Sequence, residues 1–80
     1  MQSRTFEKEL VSLIAGRLAL DESSISREAR FIHDLHVSVL DQLDLLTFLE
    51  DEFEIDIPTE ASRKFRTVAD LEEFLDSVLM

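Results

Sequence analysis

Ser38 is the residue whose type and neighbours most directly suggest chemistry, because a hydroxyl becomes a nucleophile when a base lies within hydrogen-bond reach. His36 and Asp41 stand close to it in the sequence and have the residue types of a base and an orienting carboxylate. Closeness in sequence does not supply the geometry, however, and a serine and an acid at a predicted helix start are far more often caps. The sequence therefore predicts no catalytic residue, and we expect the protein not to be an enzyme.

Two groups of residues could in principle bind metal ions. His33, Asp34 and His36 offer two imidazoles and a carboxylate for zinc, but the chain has no cysteine and no fourth ligand is apparent. Residues 50–56 are acidic enough for calcium, but apolar side chains interrupt the acids and the turn lacks a glycine. We predict no dedicated metal site, while clustered carboxylates remain suited to weak binding of divalent cations.

The charge of the chain limits the partners it can have. The sequence has 80 residues and a net charge of −10, and residues 31–62 contain no lysine or arginine. Nucleic acid is excluded as a partner because lysine and arginine must neutralise its phosphates, and anionic membrane surfaces are disfavoured for the same reason. Basic protein surfaces are favoured, since complementary fields speed encounter. A solvated acidic face that only keeps a small domain soluble is the alternative.

The size and composition predict a small protein of simple organisation. The length suits one domain, residues 1–80, with a core that must be well patterned. No apolar run approaches the roughly 20 residues that span a bilayer, so we expect no membrane insertion. The charged residues at positions 4–9 do not resemble a signal peptide, and the chain has no cysteine for disulfides. We expect a cytoplasmic monomer.

Apolar periodicity predicts the helices. Residues 5–18 form the first, with apolar residues four apart and Ser3 or Thr5 as its cap. A second runs from about residue 39 to 54, capped by Ser38, with Asp41 near the positive end of the helix dipole. Its acids should face solvent, and the residues predicted to face the core are Leu40, Leu43, Leu46, Phe48, Leu49 and Phe53.

The rest of the chain predicts a loop and two further helices. Residues 19–37 lack a sustained period, but Ile25, Phe31 and Leu35 are spaced apolar anchors that predict an ordered loop. Pro58 ends the second helix region, and residues 59–65 form a short helix or turn with Ala61 and Phe65 inward. Thr67 and Asp70 approximate a capping box for the last helix. The predicted apolar stripe of that helix is Val68, Leu71, Phe74, Leu75 and Val78. The predicted fold is all-α: a four-helix bundle with three main helices, one short third helix and a long ordered loop after the first.

The spacing Phe-x-x-Asp-Leu-x-x-x-x-Leu-Asp at residues 31–41 resembles that of the acyl carrier protein family, as does Glu-Asp-Glu-Phe-x-Ile-x-Ile-Pro at residues 50–58. The resemblance covers nearly the whole chain without gaps. It implies a non-enzymatic shuttle for thioester-bound acyl intermediates in fatty acid, polyketide or lipid biosynthesis. It also implies a 4′-phosphopantetheine arm on a serine, with Asp34, Leu40 and Asp41 beside the attachment position.

The sequence departs from this family at the attachment position itself. Val39 stands where the family has the serine, and valine has no hydroxyl to take the arm. His36 replaces the family's usual glycine. Three explanations are open: an engineered replacement, a natural carrier-like domain that has lost the arm, or modification of Ser38 through a shifted helix start. A one-residue shift turns a side chain by about 100° around the helix axis, which argues against Ser38.

The resemblance also implies a docking face and an acyl-binding interior. Its partners would be the basic surfaces of acyl-transferring or acyl-modifying enzymes and of a phosphopantetheinyl transferase. The implied docking residues are Asp41, Asp44, Glu50, Asp51 and Glu54. The candidate walls of an acyl cavity are Leu43, Leu46, Leu49, Phe53, Ile57, Phe65, Val68 and Leu71. The competing hypothesis is a cofactor-free acidic module that only binds proteins on the carrier fold.

Overall fold

Four α-helices form between residues 2 and 79, the residues that the computed structural model describes, with side chains from residue 7 onward. α1 spans Gln2–Leu18, α2 Val39–Phe53, α3 Thr59–Ser62 and α4 Val68–Leu79. One 3-10 turn, Glu22–Ser24, lies in the long connection between α1 and α2. The all-α prediction of three main helices and one short helix is confirmed. No helix in this part of the chain combines the length and the apolar character needed to cross a membrane.

Two helix boundaries differ from their predicted positions. α1 begins at Gln2, earlier than residue 5, and its predicted caps, the side chains of Ser3 and Thr5, lie outside the described residues. α3 ends at Ser62 because the chain tightens there: the Lys64 N–H donates to the Ala61 carbonyl and the Phe65 N–H to the Ser62 carbonyl. These three-residue spacings belong to turns rather than to an α-helix. Phe65 is nevertheless buried as predicted, and Ala61 is half-buried.

The core is built from α1, α2, α4 and the long loop. Its fully buried large side chains are Leu10, Ile14, Phe31, Leu45, Leu49, Val68, Leu71 and Leu75. The loop contributes Ile25, Phe31 and Leu35, all of which are buried, so the prediction of an ordered, anchored loop is correct. Burial of each such side chain stabilises the fold by roughly 1.5–3 kcal/mol, which offsets the entropy lost in ordering so long a connection.

The buried face of α2 is narrower than the sequence predicted. Leu45, Leu46 and Leu49 are buried, whereas Leu40 is 77% exposed and Leu43 50% exposed. A step of three residues falls about 60° short of a full helical turn, so successive steps from Leu46 back through Leu43 to Leu40 leave the buried face. The prediction that Leu40 and Leu43 face the core is therefore wrong. Val78, in the last turn of α4, is also exposed rather than part of the buried stripe.

The loop before α2 is joined to the start of α4 by backbone hydrogen bonds. The Phe31 N–H donates to the Arg66 carbonyl at 3.0 Å, and the Val68 N–H donates to the Ala29 carbonyl at 3.0 Å. The Ala69 N–H donates to the Arg27 carbonyl at 2.9 Å. Loop carbonyls thus satisfy donors that a helix N-terminus otherwise leaves unpaired.

The predicted capping box of α4 is present. The Asp70 N–H donates to the Thr67 hydroxyl at 3.2 Å, and the Thr67 N–H donates to Asp70 Oδ2 at 3.1 Å. A charged pair also fastens the loop to this helix: Arg27 Nε donates to Glu72 Oε1 at 2.7 Å, and the Glu72 side chain is buried. These contacts fix the loop that leads into α2.

Candidate functional site

Ser38 and Val39 form the start of α2. Ser38 is the N-cap, with φ −74° and ψ 165°, and its Oγ accepts a hydrogen bond from the Asp41 N–H at 3.1 Å. This confirms the predicted cap. Val39 is the first helical residue, and it is 62% exposed. Residue 39 is therefore accessible to solvent at the start of α2.

The residue at position 39 does not fit a phosphopantetheine ester. Val39 presents only methyl groups, and no oxygen on its side chain can form a phosphodiester. Ser38 precedes the first helical residue, and its hydroxyl oxygen is already the acceptor that caps the helix. The side chain of residue 39 therefore offers no group to which this cofactor could be attached.

Asp34 and His36 shape the turn that leads into α2. Asp34 Oδ2 accepts from the Arg30 backbone N–H at 2.8 Å and from Arg30 Nε at 3.1 Å. These hydrogen bonds, with the side-chain bond to Arg30 the strongest influence, hold the pKa of Asp34 below its ordinary value. His36 has φ 58°, a left-handed conformation that glycine adopts more readily. No group of three or more histidine, aspartate or glutamate side chains among residues 7–79 is arranged to hold a metal ion.

An open cavity of about 520 Å³ lies beside the start of α2. Val39, Leu43 and Leu46 of α2 contribute to its apolar wall, together with Ile32 from the loop and Phe65 after α3. Gln42 also lines it, and Gln42 Nε2 donates to the Phe65 carbonyl at 3.0 Å, which ties α2 to the segment after α3. Residue 39 thus stands at the rim of an apolar cavity.

The predicted acyl-cavity residues divide into two groups. Leu43, Leu46 and Phe65 line the cavity. The others pack in the core or against it and do not line this cavity: Leu49, Phe53, Ile57, Val68 and Leu71. The cavity therefore lies at the edge of the core, between α2 and the segment after α3.

The predicted docking acids also divide into two groups. Asp41, Asp51 and Glu54 are exposed and make no ion pair with the described residues. Asp44 is paired with Arg17 of α1, and Glu50 Oε2 accepts from the Ile57 N–H at 2.7 Å. The pair with Arg17 holds the pKa of Asp44 below its ordinary value, chiefly through the side-chain hydrogen bond. Three of the five carboxylates are therefore open to a partner, while two already serve the fold.

Sequence reasoning missed the basic residues around the cavity. Arg30, Arg63 and Arg66 all line it, together with His33. Arg63 and Arg66 are close in the sequence, but nothing in the sequence pattern places Arg30 beside them. Arg30 reaches the cavity because the loop pairs with the residues before α4, a tertiary contact that the sequence does not reveal.

Comparison with known proteins agrees with this geometry. The family model described as "Phosphopantetheine attachment site" matches residues 8–75. The chain is also 30% identical to a protein named "Acyl carrier protein" from Akkermansia muciniphila, over 78 residues that cover 98% of each chain. Family match, fold and the exposed first residue of α2 all agree, and the chain therefore belongs to the acyl carrier protein family.

Proposed function

We propose that this protein serves acyl biosynthesis as a carrier, in the fatty acid, polyketide or lipid branch, and that Val39 keeps the present sequence from accepting the phosphopantetheine arm. The observation that carries the proposal is the position of Val39. It is the first residue of α2, it is largely exposed, and it lies at the rim of an apolar cavity. These three features support residue 39 as the attachment position, where the hydroxyl is missing.

The exposed acids support docking to basic enzymes. Asp41 stands two residues beyond Val39, and Asp51 and Glu54 continue the negative charge toward the end of α2. A transferase or an acyl-modifying enzyme with a basic surface would meet this charge on approach. We also propose that residues 1–80 act as one domain, as a monomer, in the cytoplasm.

The test is the substitution Val39→Ser, incubated with coenzyme A and a broad-specificity phosphopantetheinyl transferase. Serine is tolerated near a helix start, so the fold should survive, which circular dichroism checks. We expect the intact mass to increase by one phosphopantetheine for Val39→Ser and to stay unchanged for the original chain. The double variant Ser38→Ala/Val39→Ser should still be modified, because the arm is expected on residue 39 alone.

Two results would contradict this proposal. Modification of the original chain at Ser38, located by tandem mass spectrometry, would show that the attachment position is shifted by one residue. A Val39→Ser variant that folds and stays unmodified would remove the main support for a carrier role.

A cofactor-free protein-binding module is the second candidate function. It is favoured by the methyl groups of Val39 together with the retained acids of α2, which would still bind a basic partner without an arm. Val39→Ser separates the two candidates. Its modification by the transferase supports the carrier, whereas a folded Val39→Ser that stays unmodified supports the module.

A further inference from the structure

The four residues that follow α3 carry a concentrated positive charge in an acidic protein. Arg63, Lys64 and Arg66 are three of the eight lysines and arginines of the chain, against 18 aspartates and glutamates. We call residues 63–66 the basic segment. We propose that the basic segment is a docking surface for an acidic stretch of a partner protein, separate from the acids of α2.

The cations of the basic segment are not used by ion pairs within the fold. All three of these residues are exposed, and none forms an ion pair with a described residue. By contrast, Arg17, Arg27 and Arg30 each pair with at least one carboxylate. The net charge is −10, so the chain has acids in excess, yet these three cations stay available to carboxylates from outside the molecule.

The surroundings of the two arginines favour an anionic partner. Arg63 and Arg66 both line the cavity beside α2, as does Arg30, and no aspartate or glutamate in the described part of the chain lines it. The carboxylate of Asp70 already accepts hydrogen bonds from the Arg66 and Thr67 N–H groups, although Arg66 also interacts with its charge. Guanidinium groups bind carboxylates through paired, charge-assisted hydrogen bonds, so we expect acidic side chains of a partner to bind here.

The backbone of the basic segment is held in place on both sides. Phe65 is buried, the centre of its ring lies 5.3 Å from that of Phe74, and its carbonyl accepts a hydrogen bond from Gln42 Nε2. The Arg66 carbonyl accepts a hydrogen bond from the Phe31 N–H. The cationic side chains therefore extend from an ordered backbone, which reduces the entropy that is lost when a partner binds.

An acidic stretch of protein fits the basic segment better than nucleic acid does. Four extended residues span about 13 Å, so a few neighbouring carboxylates can face the three cations. A nucleic acid strand carries a phosphate about every 3.4 Å and would continue beyond the segment over a protein of net charge −10. The proposal does not depend on the arm, because it concerns residues 63–66 and not the side chain of residue 39.

The test is an NMR titration that follows the backbone amides of the unmodified protein as tetraglutamate, blocked at both ends, is added. The ionic strength is about 0.15 M, where charges more than about 8 Å apart are largely screened. We expect the largest shifts at residues 63–66. Blocked single glutamate, at the same carboxylate concentration, is the comparison, and we expect tetraglutamate to bind about tenfold more tightly because its carboxylates are linked.

Two double variants test the role of the arginines. Arg63→Gln/Arg66→Gln should weaken tetraglutamate binding about tenfold. The matched control Arg4→Gln/Lys8→Gln removes the same charge from α1 and should bind tetraglutamate within about twofold of the original chain, because distant charges are screened. The amide spectrum of each variant also shows whether it is folded.

Four results would overturn the proposal. Equal binding of tetraglutamate and single glutamate would show that the segment attracts any small anion, and an equal loss in the two double variants would show that net charge alone is responsible. Tetralysine that shifts the amides of residues 63–66 as strongly as tetraglutamate does would exclude an acidic partner. Shifts of these amides that grow with protein concentration, without peptide, would assign the surface to a second copy of the chain.

Discussion

Arg17 of α1 donates two hydrogen bonds to the carboxylate of Asp44 of α2, from Nε to Oδ2 at 2.8 Å and from Nη2 to Oδ1 at 2.9 Å. The guanidinium carbon of Arg17 also lies 5.2 Å from the centre of the Phe48 ring. This paired geometry fixes both side chains. On the docking face that we propose, a basic partner enzyme would therefore compete with Arg17 for one of the five carboxylates.

Removing this competitor should strengthen docking. In Arg17→Gln the carboxylate of Asp44 becomes available to cations of a partner, so we expect a lower Kd for a basic partner enzyme at low salt. The measurement is the Kd by surface plasmon resonance at two ionic strengths. Lys64→Gln changes the net charge by the same amount and leaves the Asp44 pair intact. An equal gain in both variants would show that net charge alone is responsible.

The unpaired acids should matter most for the rate of association. Charge reversal of Asp41 and Asp51, in the background Val39→Ser, should slow association with the transferase, and raising the salt concentration should slow the unreversed protein as well. Reversal of Asp44 or Glu50 would be harder to interpret, because it also breaks a contact within the fold. Glu28→Lys, at an exposed loop residue outside α2, is the control. Stopped-flow association rates that are insensitive to both salt and reversal would contradict electrostatic docking.

His36 should be replaceable by glycine with a gain in stability. Its φ of 58° crowds a side chain against the backbone, at a cost of about 1–2 kcal/mol that glycine does not bear. Glycine gains some entropy in the unfolded chain, so we expect a net increase of about 0.5–1 kcal/mol in the free energy of unfolding. Asp21→Gly is the matched control in the same loop: its φ of −73° is favourable for any residue, and it should lose stability. Urea unfolding measures the free energy of unfolding of both variants. A His36→Gly variant that is less stable than the original chain would show that the backbone at His36 is not strained.

Asp70 should make the free energy of unfolding depend on pH in the acidic range. Burial raises the pKa of Asp70, but the hydrogen bonds from the Arg66 and Thr67 backbone N–H groups, together with the Thr67 side chain and the charge of Arg66, outweigh it and hold the pKa below the ordinary value of 3.8. The unfolded state then binds more protons, so this stabilisation is complete above the unfolded pKa. It is lost as the pH falls through the folded pKa.

Asp70→Asn keeps an acceptor oxygen and removes the titration. Between about pH 5 and pH 2, its urea unfolding midpoint should fall less steeply than that of the original chain. Asp76→Asn removes one carboxyl from the same helix, where Asp76 makes no hydrogen bond or ion pair with the described residues. It removes the same charge as Asp70→Asn and is the control for net charge. Parallel curves for all three proteins would show that Asp70 does not contribute.

Local features of the fold could be predicted from the sequence because their causes lie within a few residues. The Ser38 cap and the Thr67–Asp70 capping box each join residues three apart, and both are present. The anchors of the long loop were recognised because apolar residues in a polar segment must be buried somewhere. Leu40 and Leu43 were wrongly predicted to face the core. A spacing of three residues is typical of a helix, but each such step moves the side chain about 60° around the helix axis.

The charged contacts could not be predicted in the same way. Arg17 reaches Asp44 and Arg27 reaches Glu72 only after the helices are placed, and sequence alone does not fix which acid each arginine meets. The same holds for the cavity: Arg30 joins Arg63 and Arg66 through the pairing of residues 30 and 67. These contacts depend on tertiary arrangement.

The hydrogen bonds between the loop and the start of α4 make these two segments a single cooperative unit. Amides of Phe31, Val68 and Ala69 bond across the two segments, so neither segment can open without exposing the donors of the other. Amide hydrogen exchange should therefore protect these three positions to the same extent. By comparison α3 has only four residues, none of them buried, and the segment after it is tied to α2 through the Gln42 side chain. We therefore expect the cavity to widen by movement of α3, while the hydrogen bonds between the loop and the start of α4 stay intact.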